Sequence, residues 1–394
     1  MSLSPKKVKD NIDTDHLVDL LRRLIQVESF SPPGNEDAIA DILALELAVA
    51  GVPTEMQAVE PGRPNLLARI GSESGPTLMF NAHMDTVPAG DLSQWSAPPF
   101  SGELKDGRII GRGAVDDKGG LAAMTTALIT LRSLRIPLGG QLLFTAVMGE
   151  EVGHIGTAHL LRSGVQADMA IVGEWSSAGQ IALGYRGRVE ARLLVKGRSA
   201  HGSRPGHGLN AIDLMTDRVL PAIRQLSFPH TVSDIFVAPH PTLAVTMIEG
   251  GVRPNMIPDH CSATLDIRLV TDQKAEDVCH EIEAAAHAAL QDVPGAAIAV
   301  DFEGATSPFL TSQDTELVRA LAQSVEEVTG SPPRYFAKSG TSDANLIAAQ
   351  LGIPVVAYGP GNTTGHAADE FIEIADLIAA CEVYVLTAAR LLSG

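Results

Sequence analysis

Apolar residues recur at helical spacing from Asp15 to about Val27, where Leu17, Leu20, Leu21, Leu24 and Ile25 mark one face. The loop Ser31-Pro32-Pro33-Gly34-Asn35 breaks that pattern. A second helix is predicted over about 36–50, with Ile39, Ile42, Leu43 and Leu47 on one side and Gly51 just past its end. Short strands are predicted at 65–70 and 77–82. The second is mostly apolar, as a strand buried on both faces of a sheet should be, and it runs into His83-Met84-Asp85. After a loop rich in Pro and Gly, an apolar run ends at Ile109-Ile110. There GRGAVDDKGG (111–120) turns the chain into a helix predicted over about 119–134. Strand 141–147 leads into Gly149-Glu150-Glu151, a helix follows over about 155–163, and strand 169–172 ends in Gly173-Glu174. Polar clusters thus fall at the C-terminal ends of strands, the edge where open α/β sheets bind ligands.

The texture changes near Leu183-Gly184. Strand 188–196, helix 209–226, strands 242–248 and 262–270, helix 274–290 and strand 297–302 follow in the order βαββαβ, a compact split βαβ unit. The first architecture then resumes, with helices at 315–328 and 342–349, a strand at 355–358 and a last helix from Glu373. The expected domains are 1–184 and 303–394 as two segments of one α/β domain, with 185–302 inserted between them. At 394 residues the chain is long for a single core, which fits two domains.

Charge narrows the chemistry. With 47 acidic against 29 basic residues and a net charge of −18, the chain is ill suited to nucleic acid or anionic membrane, both polyanions. Cys261, Cys279 and Cys381 are odd in number and widely spaced, so neither a disulfide framework nor a thiolate zinc site is expected. No apolar run is long enough to span a bilayer, and MSLSPKKVKDNIDTD lacks an apolar signal core, so a cytoplasmic location is expected.

The strand ends carry His83/Asp85, Asp116, Glu150/Glu151, Glu174 and, after the last strand, His366. Any one has a plain explanation as a turn, a cap or a solvated face. Their coincidence on one sheet edge points instead to a catalytic divalent-metal site, since imidazole and carboxylate without thiolate suit such ions. Residues two apart on an extended segment share a side, so the Asp85 carboxylate is expected to accept the second ring N–H of His83. Glu150 and Glu151, adjacent and pointing apart, should have different jobs.

The segments NAHMDTVP (81–88), GRGAVDDKGG (111–120), MGEEVG (148–153), VGEW (172–175), KGRSAHGSRPGHGLNAI (196–212), GGVRPNMIPD (250–259), LDIRL (265–269), GTSDA (340–344) and GHAADEF (365–371) span nearly the whole chain. In content and order they resemble the M20 metallopeptidases and deacylases. That group contains acetylornithine deacetylase, succinyl-diaminopimelate desuccinylase and glutamate-releasing carboxypeptidases. The resemblance implies a zinc-peptidase-like mixed sheet flanked by helices, with an inserted ferredoxin-like lid and dimerisation domain. It implies one metal on His83, Asp116 and Glu174, another on Asp116, Glu151 and His366, and often a cis peptide after the bridging Asp116. Zinc is the first expectation, with cobalt or manganese as alternatives. Glu150 is then the general base, helped by Asp85, and His201 reaches into the site of a partner subunit, making a homodimer.

The implied chemistry is amide hydrolysis by a metal-bridging hydroxide, formed as the pKa of shared water falls from about 15.7 toward about 7. Arg268 matches the family arginine that clamps a carboxylate, a task for a bidentate fork. An ordinary surface strand residue paired with Asp266 is an equally good account of it. Arg186, Asn255 and the Gly340-Thr341-Ser342 turn are further candidate contacts. The favoured substrate is an N-acyl amino acid, with a carboxypeptidase or dipeptidase activity as the alternative; Glu rather than Asp at 174 leans toward deacylase by resemblance. A non-catalytic relative would lack a ligand or the base, and neither is missing. A nucleotide-binding protein would need a phosphate loop, which the carboxylates of 111–120 do not provide.

Overall fold

The computed structural model describes residues 3–393. Its contacts separate two units. One holds Gly184 and the described residues before it, Thr311–Phe336, and the described residues from Ser342 onward; the other holds Tyr185–Leu310 and Ala337–Thr341.

In the first unit a mixed sheet runs, edge inward, through Thr54–Glu60, Arg63–Gly71, Gln141–Val147, Thr77–His83, Met169–Val172, Val355–Ala357 and Gln180–Tyr185. Thr77–His83 lies parallel to both Gln141–Val147 and Met169–Val172, and Val355–Ala357 is parallel to Met169–Val172. Four strands therefore end at one edge, and the chain leaves each of them there as a polar loop. Their central residues are buried on both faces, which is why their sequences read as continuous apolar runs. Helices Lys118–Ser133 and Ile374–Leu392 are apolar nearly all round and buried along most of their length, so they act as core rather than cover. Tyr384, on the second of these helices, packs its ring against Phe80 at 5.1 Å in a tilted arrangement and donates its hydroxyl to the Tyr358 carbonyl.

Two elements of this unit escape periodicity. Strand Thr54–Glu60 is an edge strand whose side chains are mostly exposed, so it carries no apolar alternation. A small sheet of Glu103–Lys105, Arg108–Ile110 and Phe371–Glu373 joins segments more than two hundred and fifty residues apart in the chain, pairing Phe371 with Ile110. That pairing brings the loop after Ile110 beside the loop before Phe371.

The second unit is a four-stranded antiparallel sheet in the order Thr242–Gly250, His260–Leu269, Gly187–Lys196, Ala297–Thr306. Its inward residues Val189, Ala191, Leu193, Cys261, Leu265 and Ile267 pack on helix residues Met215, Val219, Ile223, Val278, Ile282 and Ala286. This is the βαββαβ topology, with one adjustment. The helix expected over 209–226 comprises Ala211–Leu214, a wider π turn at Met215–Val219, and Leu220–Arg224. Pro221 lacks the N–H that would continue the ordinary ladder. The unit also runs past residue 302 to Leu310, because its last strand continues to Thr306 across a bulge between Phe302 and Gly304.

Candidate metal centre and active site

His83 closes strand Thr77–His83; Glu150 and Glu151 follow Gln141–Val147; Glu174 follows Met169–Val172; His366 lies beyond Val355–Ala357. Asp116 stands in the loop between Ile110 and helix Lys118–Ser133. At Gly113 that loop takes φ +84, where a Cβ would press on Thr86 and Lys118, so glycine is required. The Asp116–Asp117 peptide is cis.

The two oxygens of Asp116 face different partners. Oδ1 is 2.9 Å from His83 Nε2, whose other carboxylate neighbour is Glu174 Oε1 at 4.0 Å. Oδ2 is 3.3 Å from His366 Nε2, which is 3.0 Å from Glu151 Oε1. In both trios, His83/Asp116/Glu174 and Asp116/Glu151/His366, the donor atoms lie within 4.8 Å of one another. Glu150 offers an oxygen to a third grouping with His83 and Glu151, and to a fourth with His154 and Asp343. Two imidazoles and three carboxylates with no thiolate suit divalent ions of the zinc, cobalt or manganese kind, and Asp116 has one oxygen for each side.

Burial works against charge on His83, yet the neighbouring carboxylates of Asp116, Asp85 and Glu150 outweigh it and hold the imidazole pKa well above its usual value. Asp116 is likewise buried, and His366 and His83 draw its pKa down. His366 is pushed up to about 10 by Asp116 and Glu151. Burial pushes Glu150 up to about 8, with His154 offsetting part of the effect. A divalent cation would compete with these protons for the same imidazole and carboxylate lone pairs.

The expected role of Asp85 changes in one respect. His83 Nδ1 is 2.9 Å from the Asp85 main-chain carbonyl, while the Asp85 carboxylate is 3.6 Å away. That carboxylate instead accepts the backbone N–H groups of Glu150 and Glu151, at 3.0 and 3.2 Å. The main chain fixes the His83 tautomer, and the side chain sets the two glutamates.

Several supporting residues were not singled out from the sequence. Buried Glu370 accepts the backbone N–H groups of Gly113, Val115 and Asp116 and pairs with buried Arg112 at 2.6 Å. Arg112 also donates to the His366 carbonyl at 3.1 Å, so one ion pair ties the Asp116 loop to the His366 loop. Burial pushes the Lys118 ammonium down to about 7, and it donates to the Val27 carbonyl. His154 and Asp343 back onto Glu150. Arg112, Asp343 and Glu370 lie inside the quoted motifs and His154 directly follows one; their pairing across the chain was the missing signal.

The remaining candidates belong to the second unit, except Ser342, which caps helix Asp343–Leu351 in the first. His201 is exposed, with Nδ1 2.8 Å from Ser203 Oγ, and Asn255 accepts the Gly202 N–H at 2.8 Å through its carbonyl. Arg268 forms a two-pronged pair with Asp266 at 2.7 and 3.2 Å. Arg186 is buried and donates to the carbonyls of His240, Arg268 and Leu269. Gly340 and Thr341 fall in the short Ala337–Thr341 segment.

A parallel strand edge bearing two histidine–carboxylate trios that share one aspartate defines the metallohydrolase class. The chain belongs to the peptidase family M20/M25/M40, whose model matches residues 79–390, and is a metal-dependent hydrolase of amide bonds. It is 33% identical over 391 residues to a succinyl-diaminopimelate desuccinylase of Methylorubrum extorquens, covering 93% of this chain and 96% of that relative. Its fold is similar to the M20 metallo-carboxypeptidase Sso-CP2 of Sulfolobus solfataricus (TM-score 0.78, 22% identity, 95% and 99% of the two chains covered). It is also similar to the Bacillus subtilis YXEP protein, described as a dinuclear metal-binding peptidase (TM-score 0.71, 18% identity, 96% and 98% covered). No helix of the described residues is long and apolar enough to cross a membrane.

Proposed function

We propose that this hydrolase cleaves the amide bond of an N-acyl amino acid bearing a free carboxylate, using two divalent cations, zinc first. One cation is held by His83, Asp116 and Glu174, the other by Asp116, Glu151 and His366. The carrying observation is Asp116, which directs one oxygen at each histidine-bearing trio. When bound, the cations supply Lewis acidity toward the substrate carbonyl and toward water. Glu150 takes the proton of the attacking water and passes it to the departing amine nitrogen. Burial, which pushes its pKa up to about 8, suits the delivery step, because the carboxyl then holds the proton at neutral pH until the amine takes it. Cations bound in the adjoining trios would lower that pKa and favour the uptake step. Asp85 keeps Glu150 and Glu151 apart in role by gripping both backbone amides.

In this reading Arg268 exchanges Asp266 for the substrate carboxylate, and Asn255, Arg186 and Gly340, Thr341 and Ser342 are further candidate contacts. His201 of one copy serves the site of the other, so the working unit is a homodimer through the second unit. The relationship to a desuccinylase across nearly the full chain supports a deacylase over a peptidase.

The test is a panel of N-acetyl, N-succinyl and N-formyl amino acids and dipeptides, assayed with zinc or cobalt. Turnover of an acyl amino acid that chelation abolishes and metal restores is the expected result. Cleavage of dipeptides alone would replace the deacylase reading with a peptidase one. Glu150→Gln should keep its metal and lose turnover by roughly 10²–10⁴-fold, whereas Glu151→Ala should lose metal; the opposite pattern would reverse the two assignments.

A further inference from the structure

Behind Glu150, away from both trios, lies an arrangement the proposed chemistry does not yet use. The turn after Glu150 closes tightly, with the N–H groups of Gly153 and His154 both reaching the Glu150 carbonyl at 3.1 Å. His154 then enters helix Ile155–Arg162 with φ 58 and ψ 33, a left-handed conformation uncommon outside glycine, though Asn, Asp and His adopt it more readily than other residues. Its imidazole is largely buried, and Nδ1 sits between two carboxylates: Glu150 Oε1 at 3.3 Å and Asp343 Oδ1 at 3.1 Å. Asp343 is itself buried. It opens helix Asp343–Leu351 directly after Ser342, whose capping box with Asn345 closes the helix end.

Glycine would occupy position 154 without steric cost, so the backbone alone does not explain histidine there. An unfavourable conformation kept at the rear of a site is an observation from which function can be inferred. We propose that His154 is a positioning residue for Glu150. Fixed by its Nδ1 hydrogen bond to Asp343, the imidazole stands 3.3 Å from Glu150 Oε1 and keeps that carboxylate in the orientation from which it exchanges a proton with water. This inference rests on the reading of Glu150 as general base. It adds that the base is held from behind by an imidazole–carboxylate pair from a distant segment. A carboxylate free to rotate would spend less time within proton-transfer distance, and displacement by about 1 Å is enough to cost on the order of 10²-fold in rate.

His154→Gly, His154→Asn and Glu150→Gln are compared on the best-turned-over member of the acyl amino acid and dipeptide panel, with zinc content and thermal midpoint measured alongside. His154→Gly should lower kcat by about 10- to 100-fold with KM, zinc content and thermal midpoint unchanged. Its crystal structure should show the Glu150 carboxylate turned from its place. His154→Asn, which tolerates the left-handed backbone and restores an N–H donor, should recover most of the loss. If Glu150→Gln is inactive while His154→Gly retains wild-type kcat, or while His154→Asn is as impaired as His154→Gly, the positioning role is wrong and the base assignment stands. Loss of zinc in His154→Gly would also overturn it, by making His154 part of the cation cage. Wild-type turnover in Glu150→Gln would instead remove the base assignment itself.

Discussion

The two trios that meet at Asp116 are built differently. His83 and Glu174 issue from adjacent parallel strands, and the His83 side chain is 2% exposed. His366 sits in a loop, at φ 66, with its side chain 52% exposed; that loop is held by the Arg112–Glu370 pair, the small sheet and hydrogen bonds such as those of Asn362 and Thr364 to Phe371 and of Ser96 to Asp369. A rigid, dry half is joined to a wet half supported by loops. In a low-dielectric pocket, charge on ligand and cation interacts strongly and exchange with water is hindered; at the exposed half both effects weaken. On the proposed two-cation reading, the contrast predicts that the cation on the His83 side would be held more tightly than the one on the His366 side.

The sharpest way to break the comparison is to remove what the halves share. Asp116→Ala should lose both cations and reduce kcat/KM by at least on the order of 10³-fold, read by metal analysis and kinetics together. If one cation stayed at full occupancy, the halves would be independent sites. Next, Glu370→Gln tests what holds the wet half. It leaves Arg112 charged and buried without its partner, which should cost about 3–5 kcal/mol, measured by urea unfolding, and should loosen the His366 side first. Replacing the pair together, as Arg112→Met with Glu370→Leu, should recover much of the stability but not the metal affinity.

A smaller effect separates the two histidines. His366→Ala should lose one cation and about 10²-fold in activity, with recovery by added imidazole, because its position opens to solvent. His83→Ala should not be rescued, since the cavity it leaves is closed. Equal rescue of both would erase the distinction between dry and wet. The smallest change is Asp85→Asn, which keeps an oxygen for one backbone N–H of the Glu150–Glu151 pair. It should weaken metal binding by about 10-fold, followed by zinc titration, and mainly at Glu151.

Strand ends were the legible part of this site. Continuous apolar runs such as 77–82 and 141–147 announce burial on both sheet faces, and the polar residues that follow are placed by topology alone. His366 was placed by pattern only as a residue after strand Val355–Ala357; the GHAADEF motif tied it to a ligand role, because no periodic signal says how far the chain past that strand stays at the edge. Glu370, Arg112, His154 and Asp343 were opaque for a physical reason. Their roles come from partners between about 190 and 260 positions away, and local pattern reports burial rather than pairing. The same limit explains Asp85, whose carboxylate was expected on His83 but is satisfied by two backbone amides across the loop. In the second unit alternation revealed the sheet, while the π turn before Pro221 and the bulge at Phe302 were invisible until hydrogen bonds were drawn.

Anomalous diffraction at the zinc edge, on crystals grown with zinc and then briefly soaked in chelator, tests the centre most directly. The account predicts two peaks before the soak, each beside a different oxygen of Asp116, with the peak on the His366 side fading first. A single peak, or two peaks of which only one touches Asp116, would contradict it.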